Sequence, residues 1–261
     1  MEPSTLLDLI LQRTSVRHFD SSREIPEEAL RKILTAGIRA PSAGNIQPRT
    51  FIILKDQRVR DQIYDLCEDQ AFMKEAPLWI AVCVDIHRHL KAAALTGVHY
   101  DYTGTLPYTM SVLDAALSLE NLALAAEALG LGSVMIGSII EHPQKAKEIL
   151  QLPEHCFAIC LICIGYPIGK PRSRVKWDYD KIVCVDRYKD IELKDVLEYW
   201  RKFMFGDLER AGKEVSPEIM EKVSRERSYG RMYADHYTEE FVKATNKKIS
   251  EFIKKQNLVK N

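Results

Sequence analysis

Pro41-Ser42-Ala43-Gly44-Asn45-Ile46-Gln47-Pro48 is a loop of small and polar residues bounded by prolines, set just before the β-rich run Thr50-Phe51-Ile52-Ile53-Leu54. Ser42, Ala43 and Gly44 keep bulk away from the backbone, Asn45 tolerates left-handed geometry, and Gln47 offers a paired donor and acceptor. Such a loop can bring main chain close to a flat ring. Shortly before it, Arg13-Thr14-Ser15-Val16-Arg17-His18-Phe19 sets two guanidiniums and two hydroxyls within five residues. A phosphate monoester carries nearly two negative charges at neutral pH, and the arginine fork suits its oxygens. Charge-assisted hydrogen bonds contribute ~1.5–3 kcal/mol each, so three or four anchor a small phosphorylated ligand. Taken singly, the first segment also reads as an ordinary turn and the second as a solvated basic one. Their succession is what a phosphorylated planar cofactor needs.

Outward from this pair the chain mixes helical and apolar extended stretches. Thr5–Gln12 has helical periodicity and delivers the Arg13–Phe19 segment. Pro26–Ala36 follows, with Pro26 suited to a first turn, Glu27 and Glu28 favourable at a helix N-terminus, and Gly37 the expected stop. Residues 56–74 read as helix, and Leu78–Val84 as a strand apolar on both faces. Residues 85–109 carry no clean period and contain His87, His89, His99, Tyr100, Tyr102 and Tyr108. They read as a long loop or an irregular helical excursion, and a stretch of this length without regular structure is often functional.

Ser111–Leu129 is an Ala/Leu helix apolar around most of its circumference, for which a subunit interface is the natural cover. Gly130-Leu131-Gly132 ends it. This order is wrong for a dinucleotide fingerprint, whose glycines follow a strand and open a helix. Ser133–Gly137 and Phe157–Ile164 read as further strands around a helix at 143–150, and Ile182–Val185 as a last short one. Between these, Gly165-Tyr166-Pro167 leads to a second basic group, Lys170, Arg172 and Arg174. Residues 191–261 are charged and helical. The expectation is an α+β domain at 1–190 and a helical extension at 191–261, packed on the core or on a partner subunit.

Lys+Arg and Asp+Glu both total 37 in 261 residues, so the formal net charge is zero. Balanced charge argues against nucleic acid or an anionic membrane as the main partner. No run reaches the ~18–20 apolar residues of a membrane span, and Met1-Glu2-Pro3-Ser4 lacks a signal-peptide layout, so a cytoplasmic location is expected. Cys160-Leu161-Ile162-Cys163 matches C-x-x-C in form but lies inside an apolar run, where thiols pack as small hydrophobes.

The basic turn, the P-S-A-G-N-x-Q-P loop, the Ala/Leu helix closing on G-L-G-S, the strand ending in Gly165-Tyr166-Pro167 and the basic triplet resemble, in that order, the nitroreductase family over about residues 6–188. The resemblance implies an α/β/α sandwich around a central mixed β-sheet, in an interlocked homodimer with two FMN sites at the interface. It implies that Arg13, Thr14, Ser15 and Arg17 hold the phosphate and ribityl chain. Pro41, Ser42, Asn45 and Gln47 would meet the flavin, mainly that of the partner subunit. Ile136, Gly137 and Ser138 would bring backbone near the ring, and Arg172 or Arg174 would complete the phosphate site.

NADH or NADPH would supply hydride, with a nitroaromatic, quinone or free flavin as small-molecule acceptor. The flavin carries the chemistry, so neither a catalytic acid–base pair nor a metal is expected. Two other functions stay open: a flavin-binding or storage protein without turnover, and a specialised relative such as a reductive dehalogenase with a substrate lid at 85–109. His87, His89 and His99 read as residues making local hydrogen bonds, with metal ligation the alternative. Tyr100, Tyr102 and Tyr108 read either as packing or as a lid.

Overall fold

Four apolar runs pair into one sheet: β1 Arg49–Ile53, β2 Leu78–Asp85, β3 Gly132–Ile136 and β4 Cys156–Gly165, in the order β1-β2-β4-β3. This computed structural model describes residues 6–97, 102, 104–169, 171, 173–210, 216–218 and 237–259. Every residue of β2 is buried, as a central strand covered on both faces must be. The register sets Thr50 opposite Cys83, Trp79 opposite Cys163, and Val134 also opposite Cys163. All three pairings are antiparallel, so the expected mixed character does not arise among the described strands. Parallel neighbours need a crossover that returns the chain in the same direction, and none joins these strands.

The two faces of the sheet build two cores. On one, Trp79, Ala81, Cys83, Leu161 and Cys163 pack with Val16, Phe19, Ile63, Met73, Ile139 and Ala146. On the other, Ile80, Val82, Val84, Phe157 and Ile162 pack with Leu30, Ile33, Leu119, Leu122, Phe252 and Leu258. In β4 the inward residues change parity, because Cys160 pairs with Val82 and Ala158 with Cys83. Ile159 is the extra residue of a β-bulge.

Helices α1 Leu6–Gln12, α2 Glu27–Ile38, α3 Gln57–Asp65, α4 His87–Leu95, α5 Thr105–Ala128 and α6 Pro143–Ile149 surround the sheet. Asp56 caps α3, accepting from Arg58 N at 2.8 Å. The expected single helix at 56–74 breaks at Glu68 and Asp69, both with positive φ, and resumes as a 3-10 turn at Ala71–Glu75. Gly37 does not stop α2. It lies where α2 crosses α5, and a Cβ there would stand 2.7 Å from Leu122 Cδ2. The described residues of 85–109 hold α4 and the start of α5, so of the two expected forms it is the helical one that they take rather than the long loop. His99 and Tyr100 lie outside the described residues, Tyr102 packs edge-on to His89 at 5.4 Å, and Tyr108 stacks on Phe157 at 6.5 Å.

α5 ends in a Schellman motif, in which Gly130 has φ +74° and Leu131 N donates to Ala126 O at 3.0 Å. The chain forms two compact units, 1–172 with 245–261, and 173–244. The second contains α7 Tyr179–Ile182 and α8 Leu193–Arg210; α9 Glu239–Lys255 begins in it and ends in the first. Ile182–Val185 is not a strand. Val183 N donates back to Tyr179 O at 3.0 Å, and with no strand beside it among the described residues the run stays irregular.

Candidate functional site

Residues 13–19 leave α1 as an extended strip pinned from several sides. Val16 N donates to Ser133 O at 2.9 Å, Asp20 N to Tyr166 O at 2.9 Å, and Ile168 N to His18 O at 3.0 Å, while Phe19 bridges to Pro167. Phe19 N also donates to Glu75 Oε2 at 3.1 Å. Val16 and Phe19 point into the core, so Thr14 and Ser15 sit half-buried while Arg17 and His18 are exposed. The close approach depends on Gly132, where a Cβ would stand 2.4 Å from Val16 Cγ2. The guanidinium of Arg17 lies over the Phe72 ring, 5.8 Å from its centroid. Arg13 Nε is 3.6 Å from Glu120 Oε1 on α5. One further carboxyl on α5, Glu127, feels the same arginine; burial nevertheless pushes it up to about 7, and Glu120 adds to that rise.

The 41–48 loop is tied to α5 by a different carboxylate. Asp114 Oδ2 accepts from the Ser42 hydroxyl, and Oδ1 accepts from Ala43 N at 3.2 Å. The Ser42 oxygen in turn accepts from Gln47 N at 2.7 Å. Arg49, at the start of β1, lies 3.8 Å from Asp114, with side chains only 3% and 4% exposed. Its guanidinium donates to the carbonyls of Ile38 (2.9 Å), Ala40 (2.8 Å) and Pro41 (3.1 Å). Burial lowers the Arg49 pKa, and Asp114 opposes that shift. Breaking such a buried pair by removing one partner costs about 3–5 kcal/mol. Gly44, Asn45 and Gln47 have φ of +57°, +56° and +54°. For the two that are not glycine this geometry costs about 1–2 kcal/mol each, so the surrounding bonds must hold it. Gln47 Nε2 donates to Asn45 Oδ1 at 3.1 Å, and both side chains are exposed.

At the far end of β3, roughly 13 Å from Ser133 at the strand rise, the chain turns at Ile136-Gly137-Ser138. Ile136 and Ser138 are buried, while Gly137 is exposed with nothing within 4 Å of a Cβ built on it. Gln70 holds Ser138 Oγ at 3.3 Å and Cys67 O at 3.0 Å. Burial raises the thiols beneath, Cys67 to about 12 and Cys160 to about 11, so they remain protonated at neutral pH. Cys160 and Cys163 belong to opposite cores of the sheet, which separates the two thiols of the C-x-x-C match.

Of the expected site residues, Arg13, Thr14, Ser15 and Arg17 share one strip. Pro41, Ser42, Asn45 and Gln47 share one loop, and Ile136, Gly137 and Ser138 share one turn. Arg174 is exposed in the second compact unit, and Lys170 and Arg172 lie outside the described residues. Sequence reasoning missed Arg49, Asp114, Glu120 and Glu127. Asp114 left a trace, as the one acid within the first part of an Ala/Leu helix.

Residues 10–166 match the profile of the Nitroreductase family. A Bacillus subtilis FMN reductase [NAD(P)H] is 32% identical over 179 residues, covering 67% of this chain and 70% of its own. The NADPH-flavin oxidoreductase of Vibrio harveyi is 27% identical over 193 residues, covering 74% and 78%. Among solved structures, nitroreductase A from Vibrio parahaemolyticus superposes with a TM-score of 0.73 at 25% identity, covering 85% of this chain and 96% of its own. NfrA1 of B. megaterium, at 21% identity, shares the fold over 97% of this chain and 99% of its own with a TM-score of 0.78. With a profile match spanning more than half of its residues, the chain belongs to the nitroreductase family.

Proposed function

We propose that this protein is an FMN-dependent NAD(P)H oxidoreductase that reduces nitroaromatics, quinones or free flavins and works as a homodimer. The observation that carries the reading is the arrangement at the two ends of β3. One end anchors a strip bearing two guanidiniums and two hydroxyls, and the other exposes the open backbone of Gly137. The donor set suits a phosphate and a polyol, and the open glycine suits a flat ring, so the residues fit FMN. Bound flavin supplies hydride transfer between nicotinamide and acceptor.

The residues present bind and orient. Arg17 and the Thr14 and Ser15 hydroxyls would take the phosphate and ribityl chain, while Arg13 would have to share its charge with Glu120. Support for the dimer comes from α1, none of whose residues is buried and whose Leu7 and Leu11 are 63% and 73% exposed, and from the outer face of α5. A second copy would cover these faces and bring its own 41–47 loop to the flavin. No described helix is long and apolar enough to cross a membrane, consistent with a cytoplasmic enzyme using the nicotinamide pool.

The test is spectroscopic. The purified protein, supplied with FMN, should be yellow and should bleach promptly when NADH or NADPH is added without oxygen. A flavin that stays oxidised would assign the chain to storage rather than turnover. The Arg17→Ala variant should lose most of its FMN, and full occupancy in that variant would remove Arg17 from the site.

A further inference from the structure

The expectation that Ser42 meets the flavin directly conflicts with how its hydroxyl is used. The proton goes to Asp114 Oδ2, and the oxygen accepts from Gln47 N at 2.7 Å. We propose that Arg49 and Asp114, bridged by Ser42, are positioning residues: they hold the 41–47 loop in the shape that receives FMN, and Ser42 serves the loop rather than the cofactor. This rests on the FMN reading above and deepens it.

The pair works on both sides of the loop. Arg49 gathers the carbonyls of Ile38, Ala40 and Pro41, where α2 ends and its last C=O groups lack helical partners. Asp114, from the middle of α5, gathers the Ser42 hydroxyl and the Ala43 amide. One buried ion pair thereby joins the end of α2, the entry to the loop and α5. The Ser42 oxygen then fixes Gln47 N, which closes the turn around three left-handed residues. What remains outward is Pro41, Gly44 and the amide pair of Asn45 and Gln47, and these would meet the flavin. An arginine suits this place because its rigid planar fork spreads its donors over separate nitrogens that reach carbonyls on different sides, whereas an ammonium presents its three donors from a single point.

The experiment measures FMN affinity by fluorescence quenching, the visible circular dichroism of bound flavin, and the thermal midpoint of the apoprotein. It compares wild type, Ser42→Ala, Asp114→Asn, their double variant and Arg49→Lys. Asp114→Asn should weaken FMN binding by about tenfold or more, about 1.4 kcal/mol, and change the dichroism of the flavin that still binds. Ser42→Ala should move both in the same direction, and the double variant should be no worse than Asp114→Asn alone. Arg49→Lys, though it keeps the charge, should not restore affinity.

Unchanged affinity and dichroism in folded Asp114→Asn and Ser42→Ala, with only the thermal midpoint lowered, would reduce the pair to ordinary structural support and overturn the proposal. Additive losses in the double variant would return Ser42 to direct flavin contact and overturn its assigned role. Should Asp114→Asn not fold, Ser42→Ala is read together with Arg49→Lys: losses of affinity in both support the positioning pair, whereas a loss in Ser42→Ala with wild-type affinity in Arg49→Lys returns Ser42 to direct flavin contact and overturns its assigned role. A wild type that binds no FMN defeats the functional reading itself, a different outcome from variants that bind like wild type.

Discussion

Glu127 concentrates the electrostatics of the strip into one side chain. Its Oε1 is buried without a hydrogen-bond partner among the described residues, and its carboxyl is pushed up to about 7 by burial, with Arg13 pulling the other way. A folded-state pKa above the unfolded one means that the folded chain binds the proton more tightly. The stability this group contributes is therefore whole below the unfolded value of 4.5 and is lost as pH climbs from there through about 7. The apoprotein's thermal midpoint should fall between about pH 5 and pH 7.5. Glu127→Gln should flatten that slope, matching wild type at the acid end and melting higher at the alkaline end. Parallel slopes in the two proteins would mean that Glu127 keeps its charge throughout. Arg13 and Arg17 were legible in the sequence because local composition alone marks them. Arg49, Asp114 and Glu127 were not, because their roles exist only once α5 lies across residues far away in the chain, as Ser42 and Asp114 are 72 positions apart.

The helices present a similar contrast at the scale of elements. α5 buries Ser111, Asp114, Ala115, Ser118, Leu119, Leu122, Ala123 and Ala126 along one side, and leaves Leu106, Leu113 and Leu117 largely exposed on the other. α1 is seven residues long, too short to persist on intrinsic propensity, and carries exposed Leu6, Leu7, Ile10 and Leu11. If a second copy covers both, Leu117→Glu should convert dimer to monomer in sedimentation velocity and lower FMN occupancy along with it. A variant that stays dimeric with full occupancy would place the interface elsewhere. Where an element carries its own pattern, as β2 and β4 do in their unbroken apolar runs, the sequence located it well. α4 buries none of its residues fully and sets only Leu90 against the core, so no clean stripe betrays it, and the β-branched run at 182–185 looked like a strand while having no strand beside it among the described residues. Sheet order and the absence of a parallel pair belong to long-range pairing, which no local pattern records.

The first compact unit is completed by residues from the end of the chain. Phe252 packs its ring against Phe157 of β4 at 5.3 Å, Leu258 is fully buried, and Gly104 N donates to Leu258 O at 3.0 Å just ahead of α5. Composition leaves open whether the helical extension expected at 191–261 packs on the core or on a partner subunit, and it does not mark Phe252 and Leu258 as the residues that return, because they sit in a Lys-rich stretch. Phe252→Ala should cost about 3–5 kcal/mol, since it empties space that the sheet cannot collapse to fill. For a protein of this size that lowers the apoprotein's midpoint by on the order of ten degrees. Phe252 packs on the core around Phe157, whereas the proposed flavin contacts lie on the 13–17 strip, the 41–47 loop and the turn after β3. Ligand binding stabilises by mass action, about 2.7 kcal/mol at a hundredfold excess over Kd, and independent sites add. Saturating FMN should therefore raise the stability of Phe252→Ala and wild type by the same increment at equal protein concentration. A variant that gains markedly less from FMN would show that the end of the chain shapes the cofactor site as well as the core.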